Sequence, residues 1–451
     1  MLPRTGLNLG AGEQPRKSFG RLRQASSQPQ TSRMSHAPGM QIARKHRPDY
    51  WLVILCMLLL SVGLIVVYAI SPALSVAGHV SGSYYVNKQL VAIALSAVAF
   101  IATSQIPLEK WRLAYKPLLI LAGLTTLVAL AMPVLPQYPA HRWVRLGGFS
   151  FQSVELLKFA VMIWLAGLLS QRIATGAIKS SSATLKPLLI ALVVIGVVVA
   201  GIQSDLGSTG VMVAMMGTMA YVAGMPFKRL MLIGGVIVIG LFLAIATSGY
   251  RQSRVETYLH PETNCQTSGY QACQALIAVG SGGMFGLGLG GGVQAYGYLP
   301  EAANDSIFAI YAEKFGFFGV LLLIALFLSF FNKLKSIAER APDDFSRLVV
   351  VGVLTWLSVQ ALVNIGAMIG LLPLKGITLP FISYGGTSVV FVAAAVGLVF
   401  QVSSYAAYQA PRVSNTSGRN GNNGDKTNED SRDRRRVRGA YHPDPSGRIR
   451  A

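Results

Sequence analysis

Glu301 and Asp305 stand together in LPEAANDSIFAIYAEKFG, residues 299 to 316, immediately ahead of an apolar run long enough to cross a bilayer. A carboxylate at the rim of a membrane helix is costly unless paired, hydrated or used, so the position asks for a function or a cap. Read as chemistry, an acid there would serve catalysis. Read as structure, Asn304 or Asp305 would accept hydrogen bonds from the first free amides of the helix, where negative charge suits the dipole. Spacing leaves both open. Glu313 and Lys314, about two turns further in, read as ion-pair partners of a neighbouring helix.

Other charged side chains gather nearby in the chain's polar interruptions. YRQSR supplies Arg251 and Arg254, a spacing that shares a helical face and would fork a phosphate, or would let two interfacial arginines snorkel to headgroups. AHRWVRLGGFSFQSVELLKFA brings Arg142, Trp143, Arg145, Glu155 and Lys158 into one segment, with Glu155 and Lys158 spaced for a structural pair. In GIQSDLGSTG, Gln203 and Asp205 occupy a tight turn for which Asx geometry is an adequate account. LLPLKGITLPFISYGGTS, residues 371 to 388, sets Lys375, Ser383 and Tyr384 among prolines and glycines, a broken backbone that would line a cavity or re-enter the membrane. GSGGMFGLGLGGG, residues 280 to 292, has glycine spacings like a dinucleotide fingerprint, but no strand precedes it and no GK[ST] follows. Its Met, Phe and Leu suit a backbone near the interface or a lipid-like ligand, with a flexible linker as the alternative.

The elements that must position these residues follow from composition. The 451 residues are 52% hydrophobic and 13% charged, with mean hydropathy +0.49, which describes an all-α polytopic membrane protein. Apolar runs near 50–70, 88–106, 117–133, 154–171, 186–202, 207–224, 229–247, 306–331, 348–370 and 387–408 predict ten membrane helices around one large non-helical outer loop, 248–304. Residues 50–409 form the membrane domain, and 1–49 and 410–451 read as disordered basic tails.

The net charge of +21 resides largely in those tails: nine Lys/Arg against two acids in 1–49, ten against five in 410–451. Basic residues without aromatic interleaving on flexible tails suit anionic lipid better than nucleic acid, and no nucleic-acid partner is expected. With ten helices both tails share a side, and the positive-inside rule makes it cytoplasmic. No cleavable signal peptide is expected, because a long polar stretch precedes the first apolar run. Cys265 and Cys273 share the outer loop, either as a disulfide or as two free thiols, and the six histidines lack ligand spacing.

The ordered set YRQSR, GYQACQALIAVGSGGMFGLGLG, YLPEAANDSIFAIYAEKFGFFG and NIGAMIGLLPLKGITLPFISYGGTS resembles the SEDS proteins (shape, elongation, division, sporulation) over roughly residues 50 to 408. PLKGITLPFISYGG is more similar to the family's cell-division members than to its elongation members. The resemblance implies a peptidoglycan glycosyltransferase in the bacterial cytoplasmic membrane that polymerises lipid II at the outer face. A class B penicillin-binding protein and other division proteins would be its partners, and the division septum its location. It also implies that Asp305, which matches the acidic residue of the family's loop-to-helix motif, is the essential catalytic residue. The family's PEAHTDF reads PEAANDS here, QPSE reads QSVE before Lys158, and QPD reads QSD at 203–205.

On that reading Asp305 takes the proton of the attacking sugar hydroxyl, and Arg251, Arg254 and Lys375 hold pyrophosphate charge, a job a divalent Mg or Mn ion would share. Glu301, Arg142, Glu155, Lys158, Gln203, Asp205, Ser383 and Tyr384 complete the candidate substrate-binding set. Because lipid pyrophosphate is already a good leaving group, one carboxylate suffices where glycosidases use two. The rival readings are an elongation-type polymerase, a lipid flippase or other transporter, and a division scaffold without turnover.

Overall fold

Helix α1 (Tyr50–Ala77) is apolar on every side, as a helix immersed in lipid must be, and carries Pro72 only near its end. The computed structural model describes residues 44–45, 47–133, 141–146, 149–247, 249–259, 265–267, 269–374 and 376–406. Strand β1 (Arg44–Lys45) precedes α1, and α2 (Tyr84–Gln105), a short α3 (Leu108–Leu113) and α4 (Tyr115–Ala131) follow it. Next come a hairpin of β2 (Trp143–Leu146) and β3 (Phe149–Gln152), then α5 (Ser153–Ala174). The helix Ser181–Ile202 has α6 (Lys186–Ile195) at its centre and wider π turns at both ends. The remainder is α7 (Leu206–Val222), α8 (Phe227–Ala246), α9 (Gly249–Leu259), α10 (Tyr270–Ser281), α11 (Ile307–Glu339), α12 (Asp344–Met368), α13 (Gly386–Ser403) and β4 (Tyr405–Ala406).

A helix lies at each of the ten expected places, but the count of ten spans does not carry over. Among the described residues seven helices are both long and apolar enough to cross a membrane, while Tyr115–Ala131 and Leu206–Val222 are shorter apolar helices. Helices α5, α12 and α13 are the most enclosed and form the centre, with Trp356, Phe330, Met162 and Met212 fully buried there. The stretch 248–304 is not the structureless loop expected: it holds α9, α10 and a π turn at Gln294–Tyr298, and Cys265 and Cys273 form a disulfide. The predicted tails lie outside the described residues, apart from 44–45 and 47–49.

The chain ends described meet at one end of the bundle. Lys333 near the end of α11 pairs with Asp49 at 2.6 Å, the Asp49 amide donates to Ser403 Oγ at 3.0 Å, and β1 pairs antiparallel with β4. Asp305 precedes the other end of α11, so the candidate site and the chain ends lie at opposite ends.

Helix α11 is broken at Gly316, whose φ of 66° and ψ of −166° are inaccessible to other residues without strain. The break would strand four backbone groups in an apolar setting, and the glycine run satisfies all four. Leu287 and Gly288 amides donate to the Glu313 and Lys314 carbonyls at 2.9 and 3.0 Å, and the Phe317 and Phe318 amides donate to Gly283 and Met284 carbonyls at 2.9 and 3.2 Å. Backbones approach so closely that a β-carbon on Gly286 would sit 2.1 Å from the Lys314 carbonyl oxygen. The glycine run is therefore not a flexible linker. It is the mate of a broken helix.

Glu313 and Lys314 also depart from expectation. Instead of pairing with another helix, Glu313 Oε1 accepts from the Val293 and Gln294 amides at 3.0 and 3.3 Å. Lys314 Nζ donates to the Leu289 and Gly291 carbonyls, each at 3.0 Å. Both side chains are buried, so these bonds replace the hydration they lose. The segment 307–315, with Asp305 just ahead of it, thereby becomes a braced half-helix.

Candidate active site

Asp305 is half-buried at the end of a turn that begins at Glu301, whose φ of 52° lets its carbonyl accept from both the Asn304 amide at 2.9 Å and the Ser306 amide at 3.1 Å. The helix cap falls to Ser306, one residue later, and its hydroxyl donates to the Pro300 carbonyl rather than capping. Asp305 is thus not at the cap position. Its carbonyl is held by Asn364 Nδ2 of α12 at 2.7 Å, and the same amide donates to the Ile377 carbonyl at 2.7 Å, tying the turn to the segment 371–385. Ser383 Oγ donates to the Asn304 carbonyl at 2.6 Å, and the Tyr384 amide to the Ala303 carbonyl at 2.8 Å.

Across from this turn stands Arg142, at the base of the hairpin. Its Nε and Nη2 donate to the Gln203 and Ser204 carbonyls at 3.2 and 2.8 Å, and its Nη1 lies 3.7 Å from Asp205 Oδ2. Asp205 caps α7, accepting from the Ser208 amide at 2.9 Å and the Ser208 hydroxyl at 3.0 Å. The two halves converge on one glycine: a β-carbon on Gly376 would lie 3.5 Å from Asp305 Oδ2 and 3.6 Å from Arg142 Nη1. An acceptor for a proton and a fixed cation therefore face the same small space, as a reaction that deprotonates one oxygen and stabilises charge on another requires.

The structure divides the sequence-derived candidates. It brings Asp305 and Arg142 together, with Asp205 and Gln203 as props rather than contacts: Gln203 is fully buried and its Nε2 donates to the His141 carbonyl and Ser153 Oγ, each at 3.2 Å. Ser383 is likewise buried as a tie, whereas Tyr384 is half-buried with its ring 5.4 Å from that of Tyr85. Glu301 is exposed beside the turn and accepts from Asn304 Nδ2.

Glu155 and Lys158 do not reach the site surface; their assignment to substrate gives way to a core role, because both are buried in α5. Lys158 Nζ donates to Glu155 Oε1 at 2.7 Å and Gln360 Oε1 at 3.0 Å, and lies 5.1 Å over the Trp356 ring. Gln360 Nε2 in turn donates to the Thr378 carbonyl at 2.9 Å, so the buried pair props the segment that carries Gly376. Arg251 and Arg254 lie on α9, where their side chains are outside the described residues, as is the whole of Lys375.

Three participants escaped the sequence reading: Gly376, Gln360 and Asn364. The last two had a signal, since polar amides spaced i, i+4 in an apolar helix mark an internal face. The hairpin also had one, WVRL-GG-FSFQ.

Comparison with known proteins places the chain as a whole. Residues 50–408 match the family described as cell cycle proteins, the FtsW, RodA and SpoVE group. The chain is 36% identical over 363 residues to a probable peptidoglycan glycosyltransferase FtsW of Saccharophagus degradans, covering 79% of this chain and 92% of that one. It is 34% identical to stage V sporulation protein E of Bacillus subtilis, covering 80% and 99%. Among solved structures, RodA of Thermus thermophilus, as a point variant, superposes with TM-score 0.58 at 25% identity over 80% of this chain and 99% of that one. A chain from a peptidoglycan synthase complex that coordinates polymerization and crosslinking superposes at 0.62 with 23% identity, over 79% and 97%, a likeness of fold. The broken helix, the hairpin and the converging acid and arginine are thus features of a chain that belongs to the FtsW/RodA/SpoVE family, with the SEDS membrane fold.

Proposed function

We propose that this chain is a peptidoglycan glycosyltransferase that polymerises lipid II into glycan strands at the outer face of the cytoplasmic membrane, for septal wall synthesis in cell division. The observation that carries the reading is the convergence of Asp305 and Arg142 over Gly376, at the bundle end away from the chain ends. The names of the relatives support the same activity.

Asp305 accepts the proton of the GlcNAc 4-hydroxyl of incoming lipid II. That oxygen attacks C1 of the MurNAc on the lipid-linked strand, the bond from C1 to the pyrophosphate oxygen breaks, and polyprenyl diphosphate leaves with inversion at C1. General-base help of this kind contributes on the order of 10²- to 10⁴-fold. Arg142 stabilises the pyrophosphate charge, with Arg251, Arg254 and Lys375 as further cations. Arg142 is held by two carbonyls and a carboxylate, so it needs little reorganisation as charge develops. The guanidinium of Arg142 shares the space with Asp305 and supplies positive charge there. A divalent ion would enter as part of the substrate's pyrophosphate, and no step is routed through it.

Both substrates keep a polyprenyl tail in lipid and a sugar head at the surface, which suits a site at a bundle end. The chain ends at the opposite end are then cytoplasmic, consistent with the excess of Lys/Arg in the tails. A class B penicillin-binding protein that crosslinks the product is the partner, in the manner of the synthase complex whose member shares this fold. Purified protein given lipid II in detergent, where no sidedness exists, tests the reading: glycan polymer supports it, and its absence in the presence of the transpeptidase partner overturns it.

A further inference from the structure

A cleft of about 660 Å³ runs between α4, α5 and the helix Ser181–Ile202, remote from Asp305 in its polar part. Leu127, Trp164, Ile190 and Val194 form its walls, and the Thr126 hydroxyl is a polar interruption. Leu127, Ile190 and Val194 are each more than half exposed, so the cleft opens toward the surroundings of the bundle. Lys186 and Ser182 stand at its mouth, both exposed. The chain fixes which end this is. Helix α5 leaves the active-site end at Ser153 and the returning helix regains it at Gln203, so residues 181–186 lie at the end shared with Asp49 and Lys333.

We infer that this cleft holds one acyl chain of an anionic phospholipid from the leaflet on the chain-end side, with the lipid phosphate at Lys186. Length fits: from Lys186 to Val198 the helix rises about 18 Å, close to half a bilayer's hydrocarbon core. Charge fits as well. Arg172 lies in the last turn of α5, Lys179 between the helices and Lys186 at the start of α6, and no acid occurs between Glu155 and Asp205. On the α4 side, Glu109 of α3 is exposed, and Lys116 lies in the first turn of α4. An interfacial cation at the head of an apolar furrow selects an anionic headgroup on a hydrocarbon tail. The polyprenyl substrate is not the occupant, because its pyrophosphate must reach the opposite end. The π turns at Ser181–Leu185 and Gly196–Ile202 flank the cleft, and the second runs into the residues that hold Arg142, so the lipid braces that helix.

Native mass spectrometry of the full-length protein, with phosphatidylglycerol or phosphatidylcholine added to the detergent, reads the site without reference to catalysis. Wild type should retain phosphatidylglycerol about fivefold over phosphatidylcholine, the effect of one interfacial cation. Lys186→Glu should abolish the preference. Gly123→Leu, which grows a side chain into the cleft from a glycine with no heavy atom near its would-be β-carbon, should lower retention of both lipids. Equal retention of the two lipids by wild type, or unchanged phosphatidylglycerol retention in either variant, overturns the proposal; so does a dimer that Gly123→Leu dissociates, which would make a second copy the occupant.

Discussion

Asp305 Oδ2 and Arg142 Nη1, which belong to segments more than 160 residues apart in the chain, face a single point above Gly376 at 3.5 and 3.6 Å. Neither is placed by its own helix. Asp305 is set by a turn tied to α12 and to the segment 371–385, and Arg142 by the carbonyls that end the helix before α7.

Gly376 should therefore tolerate little. A β-carbon there makes ordinary contacts with both groups, but the added methyls of Gly376→Val would push between them. The expected outcome is a loss of polymerisation on the order of 10²-fold with unchanged thermal unfolding, since displacement of a reacting group by about 1 Å has that effect. Full activity in the variant would mean that the two groups do not act on a shared substrate.

Arg142→Lys keeps the charge and loses the fork. A lysine cannot donate to the Gln203 and Ser204 carbonyls while facing Asp305, so turnover should fall on the order of 10²-fold. Asp205→Asn retains an oxygen for the Ser208 amide and removes the counter-charge. Its unfolding temperature should stay near wild type while KM for lipid II changes; Asp205→Ala should also lose about 1 kcal/mol of stability with the cap.

The buried pair in α5 predicts a non-additive result. Lys158→Met leaves the Glu155 carboxylate enclosed without its cation, at a cost of about 3–5 kcal/mol, whereas Glu155→Leu with Lys158→Met should recover most of it. Thermal unfolding in detergent measures both. Equal destabilisation by the single and double variants would show that the pair is not the unit holding α5 to α12.

The helix break makes a local prediction. Gly286→Ala drives a methyl into the Lys314 carbonyl at a residue with φ of 80°, so the loop must detach and proteolysis between 282 and 298 should accelerate with loss of activity. Gly290→Ala, in the same run but with open space at its β-carbon, should be neutral.

Much of this was legible in the sequence. Each of the ten apolar runs coincides with a helix, because length and hydropathy govern membrane immersion, while α3, α9 and α10 were not foreseen; the acid ahead of α11 pointed to the candidate site. What stayed hidden was non-local. Hydropathy cannot show that α11 breaks at Gly316, because the groups that satisfy the break are backbone amides and carbonyls of Gly283, Met284, Leu287 and Gly288, about thirty residues earlier. The spacing of Glu155 and Lys158 showed a structural pair, although both also stood in the candidate substrate set; Gln360 and Trp356, the groups that make their burial tolerable, come from another helix and were not foreseen. Gly376 showed only as one glycine of a broken backbone, since what matters there is a missing side chain.

The most direct measurement is the rate at which purified Asp305→Asn protein elongates lipid II, alongside wild type with matched unfolding temperature. Replacing the carboxylate with an amide of the same shape removes only the proton acceptor, so a fall on the order of 10²- to 10⁴-fold is predicted. Elongation at the wild-type rate would contradict the assignment of Asp305 as the base.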